Sequence, residues 1–326
     1  MHDAPIVYRL GHQVLILEIG VRFPVGVPLK LAGQERRMFN WFFKFATRLC
    51  DKCNFLRSNL LVRMIDPYYV RLRVVLGNIK VAPDPVAADF YAKNKNRVES
   101  IVANLTDEQS KNTFLGIIKY RQSYNKKDYP LHNLPKEQYF IDKVTFGENE
   151  VFIDCGAYDG DTIDTFVKRC PRYKHIVAFE PDTHNFSKLS HKHGNNPQIT
   201  LINAGVYDYD GEVRFCEQGA GHSKIGDENG NVVKISVKTI DNLNLSKVTF
   251  LKMDIEGAEL NALKGAEKTI VRDKPKLAVC IYHSNDDMLR IHEYIHALVP
   301  EYQFYIRHYG YFPNLCETVL YAVIPS

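Results

Sequence analysis

"VFIDCGAYDGDTIDTF", residues 151–166, sets an apolar run against two glycines and four aspartates. A short buried strand over 151–155 carries an acid near its end, Asp154. Gly156 and Gly160 then allow a turn with positive φ and close backbone approach to a ligand before a helix starts near Thr162. An open α/β sheet builds a ligand crevice in this way, at the carboxyl ends of its strands. The pattern recurs: 176–180, 200–203, 249–254 and 277–282 read as further buried strands, with helices over 162–169, 184–193 and 258–271 between them. Strand, helix, strand repetition implies right-handed crossovers and an α/β, doubly wound sheet. Residues 211–216 and 233–239 alternate like hairpin strands flanking a Gly-rich loop, 219–230, and 302–309 with 318–324 read as a closing antiparallel pair.

The charges around the turn narrow the ligand. A dinucleotide fingerprint would read GxGxxG and aim a helix N-terminus at a pyrophosphate, whereas Asp159 and Asp161 crowd this terminus with negative charge. Phosphate is disfavoured. Glu180 closes the second strand in "VAFEPD", where an acid can accept both hydroxyls of a ribose. A ligand with a ribose, an ammonium, a sulfonium and no phosphate meets these terms, and S-adenosylmethionine is one. The cofactor set expected on this basis is Asp154, Gly156, Tyr158, Gly160, Thr162, Glu180, Pro181, Asp182, Asn203 and Asp254. The competing reading of Asp159 and Asp161 is that they cap the following helix.

Residues 250–266, "FLKMDIEGAELNALKGA", are more specific. With Lys252, Asp254, Glu256, Gly257, Glu259, Leu263, Gly265 and Ala266 in register, they resemble the signature of the FkbM family of S-adenosylmethionine-dependent methyltransferases. "FIDCGAYDGDT", "AFEPD", "VKTIDNL", "YHSNDD", "YIRHYG" and "ETVLYAV" extend the resemblance over about residues 106–324. It implies a seven-stranded methyltransferase (Rossmann-like) sheet whose antiparallel seventh strand inserts between the fifth and sixth. On that order His283, His308 and Glu317 meet beside the crevice. Methyl transfer to oxygen is an in-line displacement that needs alignment and removal of a proton. His283 is the expected base, because a neutral imidazole accepts a proton near pH 7. Asp254, Glu256 and His308 complete the catalytic set. Asp254 and Glu256 also stand as alternative bases or, with a His, as holders of a divalent ion, although no metal is the default expectation.

Around this core the chain divides into an N-terminal, mainly helical extension (1–105), a helical linker or cover (106–140) and the methyltransferase domain (141–326). Thr106 and Gln109 form an expected capping box for a helix reaching about Tyr124. With 326 residues, 45% hydrophobic, the chain can bury a large core, and 42 basic against 38 acidic residues leave +4, too mild for a dedicated nucleic-acid binder. Seven scattered cysteines fit reduced thiols in a cytoplasmic protein, and the CxxC at Cys50 and Cys53 reads as two ordinary helix positions. Basic residues among aromatics over 36–80 leave peripheral membrane contact at the inner face open, as they do a solvated helix face. Oligomerisation is equally open. The resemblance implies a small-molecule, glycan or glycolipid acceptor, and "YRLG" at 8–11, which resembles the start of bacterial surface-polysaccharide proteins, tilts this toward a glycan. Two other readings compete: a non-catalytic scaffold that has kept the fold, and a nucleotide-dependent dehydrogenase, against which the missing GxGxxG counts.

Overall fold

The computed structural model describes residues 84–217, 224–225, 231–312 and 314–325, together with Ile16–Leu17 and Val21–Arg22, which pair as a short antiparallel ribbon. Most of the expected N-terminal extension, with the CxxC, the basic and aromatic stretch and "YRLG", and nearly all of the 219–230 loop lie outside the described residues. Contacts divide the chain into Met1–Ile79 and Lys80–Ser326. Residues 84–105 therefore belong to the same compact unit as the sheet, ahead of the expected boundary at 105.

That unit opens with three helices, α1 (Pro85–Lys93), α2 (Lys95–Asn104) and α3 (Glu108–Ser123). Pro85 sits at the first position of α1, where its missing N–H costs nothing, and Asp84 caps the amides of Val86 and Ala87. The cap of α3 is Asp107 and not Thr106: Asp107 is extended and its Oδ1 accepts the Ser110 amide at 2.8 Å, while the Thr106 N–H is bonded to the Phe304 carbonyl at 2.9 Å. Asp107 also meets Arg307 at 2.6 Å, which ties the start of α3 to the sheet edge.

The main sheet follows: β1 (Val151–Cys155), α4 (Asp161–Arg169), β2 (His175–Phe179), α5 (Thr183–His193) and β3 (Ile199–Ile202). A smaller sheet intervenes, made of β4 (Gly205–Val206), β5 (Gly211–Glu217), β6 (Lys224–Ile225) and β7 (Asn231–Lys238) in the order β4-β7-β5-β6. The chain then returns through β8 (Phe250–Met253), α6 (Glu259–Lys264), α7 (Glu267–Asp273), β9 (Lys276–Cys280), α8 (Asp287–Leu298), β10 (Gln303–His308) and β11 (Thr318–Val323). Strand order is β10-β11-β9-β8-β1-β2-β3, with β11 antiparallel between β9 and β10. The sheet expected from the sequence is the one found.

Alternation along each strand feeds two cores, one per face. Ile153 and Cys155 join Leu251, Val279 and Leu320 against the N-terminal helices and α8, while Phe152 stacks on Phe250 at 4.8 Å with Phe166 on the other side. Burial on both faces explains why these strands read as continuous apolar runs. The single helix expected over 258–271 is two. Gly265 lies so close to the Tyr207 carbonyl that a Cβ would come within 2.0 Å of it, and Asp241 then caps a new helix at the amides of Lys268 and Thr269. Helix α8, which the sequence reading did not anticipate, starts from a reciprocal Ser284–Asp287 hydrogen-bond pair. No helix among the described residues is long and apolar enough to cross a membrane.

Candidate active site

At the carboxyl edge, the β1 turn is shaped by its glycines and by backbone bonds. Gly156 has φ of 81°, and a Cβ on it would lie 2.1 Å from the Asp254 carbonyl, so the β1 and β8 turns touch only because this residue is glycine. The Gly156 and Ala157 amides both donate to the Phe179 carbonyl. Glu180, just beyond β2, closes this half: its Oε2 accepts the Tyr158 amide at 2.8 Å and its Oε1 the Asp182 amide at 2.9 Å. Burial pushes its carboxyl up to about 7 despite those two bonds. The Asn203 side chain holds the same turn, donating to the Glu180 carbonyl at 2.8 Å, and Asp182 caps α5 through the Asn185 amide, with Pro181 between them. Helix α4 begins at Gly160, a residue with φ of 86° and no side chain of its own to cap the first turn.

Beneath the turn lies a fully buried ion pair. Lys252 on β8 reaches Asp154 on β1 at 3.0 Å and donates to the Gly156 carbonyl at 2.8 Å. Burial works against the charged ammonium, yet Asp154 and Asp254 beside it hold its pKa above the ordinary lysine value. Asp154 is closed to solvent. Its link to the crevice runs through Lys252 and the turn carbonyl that Lys252 holds.

The β8 turn presents the second half. Asp254 accepts the Tyr139 hydroxyl at 2.8 Å and the Tyr282 hydroxyl at 3.0 Å. Burial opposes its ionisation, but Lys252, His283 and those two hydroxyls keep its carboxyl below the usual range. His283, after β9, has Glu256 3.4 Å from Nε2, Glu259 3.2 Å from Nδ1 and Asp254 4.0 Å from Nε2. The segment before the sheet braces this arrangement. Arg121 of α3 donates to the carbonyls of Tyr282 (2.7 Å) and Ser284 (3.0 Å), and Gln138 contacts both Tyr139 and Glu317. Tyr139, Tyr158, Glu256 and Glu317 all adopt positive φ without being glycine, and such strain persists where surrounding bonds over-determine the backbone.

Residues 154–312 match the family model of the methyltransferase FkbM domain. The chain carries an FkbM methyltransferase domain. The crystal structure of methyltransferase FkbM from Methylobacillus flagellatus KT superposes with a TM-score of 0.62 at 27% identity, covering 73% of this chain and 61% of that one. The present chain thus spans about three fifths of that protein. An rRNA methylase from Streptococcus thermophilus (16% identity, TM-score 0.37, 55% of this chain and 89% of that one) is a looser match. So is Aeropyrum pernix fibrillarin, crystallised with S-adenosyl-L-methionine (12% identity, TM-score 0.35, 56% and 70%). No curated protein gives a significant match. The cofactor of FkbM methyltransferases is S-adenosylmethionine, and the acid-lined edge suits its cationic, phosphate-free chemistry.

Within the FkbM domain the structure brings Gly156, Tyr158, Gly160, Thr162, Glu180 and Asp182 together at one end of the edge, and Asp254, Glu256 and His283 at the other. Two expectations change. His308 is fully buried, with Nε2 2.8 Å from the Tyr129 hydroxyl and Nδ1 2.9 Å from Thr318 Oγ1, and burial drops its pKa to about 3. Both nitrogens are used, so it is a structural residue and not a catalytic one. His283 is not the neutral base expected. Burial alone would lower its pKa, but Glu259, Glu256 and Asp254 around the ring raise it well above the ordinary value. The sequence reading left Lys252, Tyr139, Tyr282 and Glu259 out of the site. Lys252 and Glu259 stand inside the family signature and were open to notice, whereas Tyr139 has no local signal.

Proposed function

We propose that this protein is an S-adenosylmethionine-dependent O-methyltransferase acting on a hydroxyl of a sugar, in a bacterial surface glycan or glycolipid. The observation that carries the reading is the acidic carboxyl edge. Glu180, fixed by two backbone amides at the carboxyl end of β2, supports a role in accepting ribose hydroxyls, and the aspartates of the neighbouring turn disfavour a phosphate. The Asp159 carboxylate and the Gly156 and Tyr158 backbone border the same space. The bound cofactor supplies an electrophilic methyl group on sulfur.

The chain's own residues align the acceptor and take its proton. Asp254, locked by Tyr139 and Tyr282, is a rigid acceptor of hydrogen bonds and a poor base. Glu256 is about one quarter exposed at the rim, on a turn of positive φ, and is our candidate for receiving the hydroxyl proton. His283, 3.4 Å away, orients the Glu256 carboxylate. The basic and aromatic sequence of 36–80 and the "YRLG" start favour a glycan or glycolipid acceptor near a membrane surface.

The test is transfer of labelled methyl groups from S-adenosylmethionine to glycan, lipid and small-molecule fractions of a bacterial extract. A glycan or glycolipid product that is stable to base is expected. NAD binding without S-adenosylhomocysteine binding would overturn the cofactor, and a methylated amine or carboxylate product would overturn the hydroxyl. Glu256→Gln is expected to lower kcat at least about tenfold with cofactor affinity kept.

A further inference from the structure

We propose that Asp254, Glu259 and His283 form a binding site for one divalent first-row metal ion, in the class of Mn2+ or Zn2+. One donor atom from each residue lies within 4.8 Å of the other two, and Glu256 stands 3.4 Å from His283 Nε2 on the open side. The inference does not depend on the methyl-transfer reading.

Proximity of acids alone would carry little; the orphaned lone pairs carry more. The Glu259 side chain is fully buried, and while its Oε1 accepts the Ile255 amide at 2.9 Å, its Oε2 has no hydrogen-bond partner. The His283 side chain is only 5% exposed, and neither ring nitrogen makes a hydrogen bond of acceptable angle, although carboxylates stand 3.2 and 3.4 Å away. Buried polar groups are nearly always satisfied. Here the donors converge on one another without bonding to one another, as ligands do around a shared ion. Two carboxylates and an imidazole are the mixed oxygen and nitrogen set that favours a first-row divalent ion over calcium.

The surroundings fit as well. Asp254 is held by two tyrosine hydroxyls and Glu259 by the Ile255 amide, the kind of outer bonding that orients metal ligands. Charge points the same way: the four carboxylates Asp154, Asp254, Glu256 and Glu259 outnumber Lys252 and His283 even when the imidazole is protonated, so the pocket is left with negative charge that a cation would offset.

The test uses the full chain, stripped with EDTA and titrated with Mn2+ by electron paramagnetic resonance, with Zn2+ as competitor. One tight site per chain is expected, weakened about 100-fold or more by His283→Gln and about tenfold or more by the near-isosteric Glu259→Gln and Asp254→Asn. Folding is checked by circular dichroism, and the exposed Glu108→Gln should bind as the unsubstituted chain does. No saturable binding of either ion, or equal binding by the chain and its folded variants, overturns the site. S-adenosylhomocysteine binding is measured in parallel: a chain that binds it and no metal refutes the metal site alone, whereas a chain that binds metal and transfers no methyl group supports the site and refutes the reaction.

Discussion

The two ends of the carboxyl edge are built in different ways. At the β1 and β2 end, Glu180 is fixed by backbone amides of its own and the neighbouring turn, and the contacts join loops only about twenty residues apart. At the β8 and β9 end, Asp254 and His283 are fixed by side chains from far along the chain, Tyr139 and Arg121 among them. A site held by amides tolerates side-chain change around it, while one held by side chains fails piece by piece. Cofactor binding and group transfer should therefore be separable by mutation, and Lys252 is where they join.

The largest effect is expected there. Lys252→Met removes the charge that compensates the buried Asp154 and frees the Gly156 carbonyl, so both ends should suffer together. Leaving a buried charge without its partner costs about 3–5 kcal/mol. Chemical denaturation should show a loss of that order, and a loss below about 1 kcal/mol would mean that Asp154 is neutral in the native state. Pairing Lys252→Met with Asp154→Leu should recover much of the stability, because replacing a buried ion pair by apolar groups is often nearly neutral.

Next comes Glu180. Glu180→Ala should weaken S-adenosylhomocysteine binding by about 1–3 kcal/mol, the cost of leaving buried hydroxyls and amides unpaired, with little effect on the rate of the bound complex. Its pH dependence sharpens the contrast. With a folded pKa of about 7 against 4.5 for the free side chain, the native state binds more protons than the unfolded one between these values, so Glu180 favours the free protein at low pH and loses that contribution as pH rises through about 7. Ribose hydroxyls need the ionised form, so affinity should rise over the same window. Calorimetry from pH 5.5 to 8.5 should show the rise, and Glu180→Gln should flatten it. His308 has the opposite sign: its pKa of about 3, below the ordinary 6.5, gives stability that is full above about pH 6.5 and drains away as the pH falls toward 3.

The same division explains what the sequence disclosed. The β1–α4 turn is a contiguous strand, turn and helix, so Gly156, Gly160 and Glu180 could be placed from spacing alone, and the buried runs of β8 and β9 gave the strand order once the family signature was noticed. The mutual bonding of the β8 end was hidden. Tyr139 and Asp254 lie 115 positions apart, and no periodicity links them. His308 misled for a related reason: the topology does bring it to the carboxyl edge, but whether an imidazole faces a crevice or a Tyr129 hydroxyl depends on a loop with no pattern of its own. His283 lies beside Asp254 and Glu256, and what no local pattern disclosed is Glu259 on the other side of its ring, which raises its pKa. At α6 and α7 the helical period runs through Gly265, and only the distant Tyr207 carbonyl and Asp241 cap divide it.

The smallest effect discriminates best between the two ends. Tyr282→Phe deletes one of the two hydroxyls on Asp254 and leaves the backbone carbonyl that Arg121 holds, so the loop should stay in place. One hydrogen bond to a charged group is worth about 1.5–3 kcal/mol at most, and the remaining Tyr139 bond, together with water reaching a carboxylate that is 20% exposed, should reduce the net loss of stability to about 1 kcal/mol. Cofactor affinity should hold within about twofold, because nothing at the Glu180 end has moved. The turnover number should fall by more than KM changes, since Asp254 is then free to rotate out of line with the acceptor hydroxyl. Equal losses in cofactor affinity and turnover would mean that the two ends are one mechanical unit, and the contrast drawn between them would have to be abandoned.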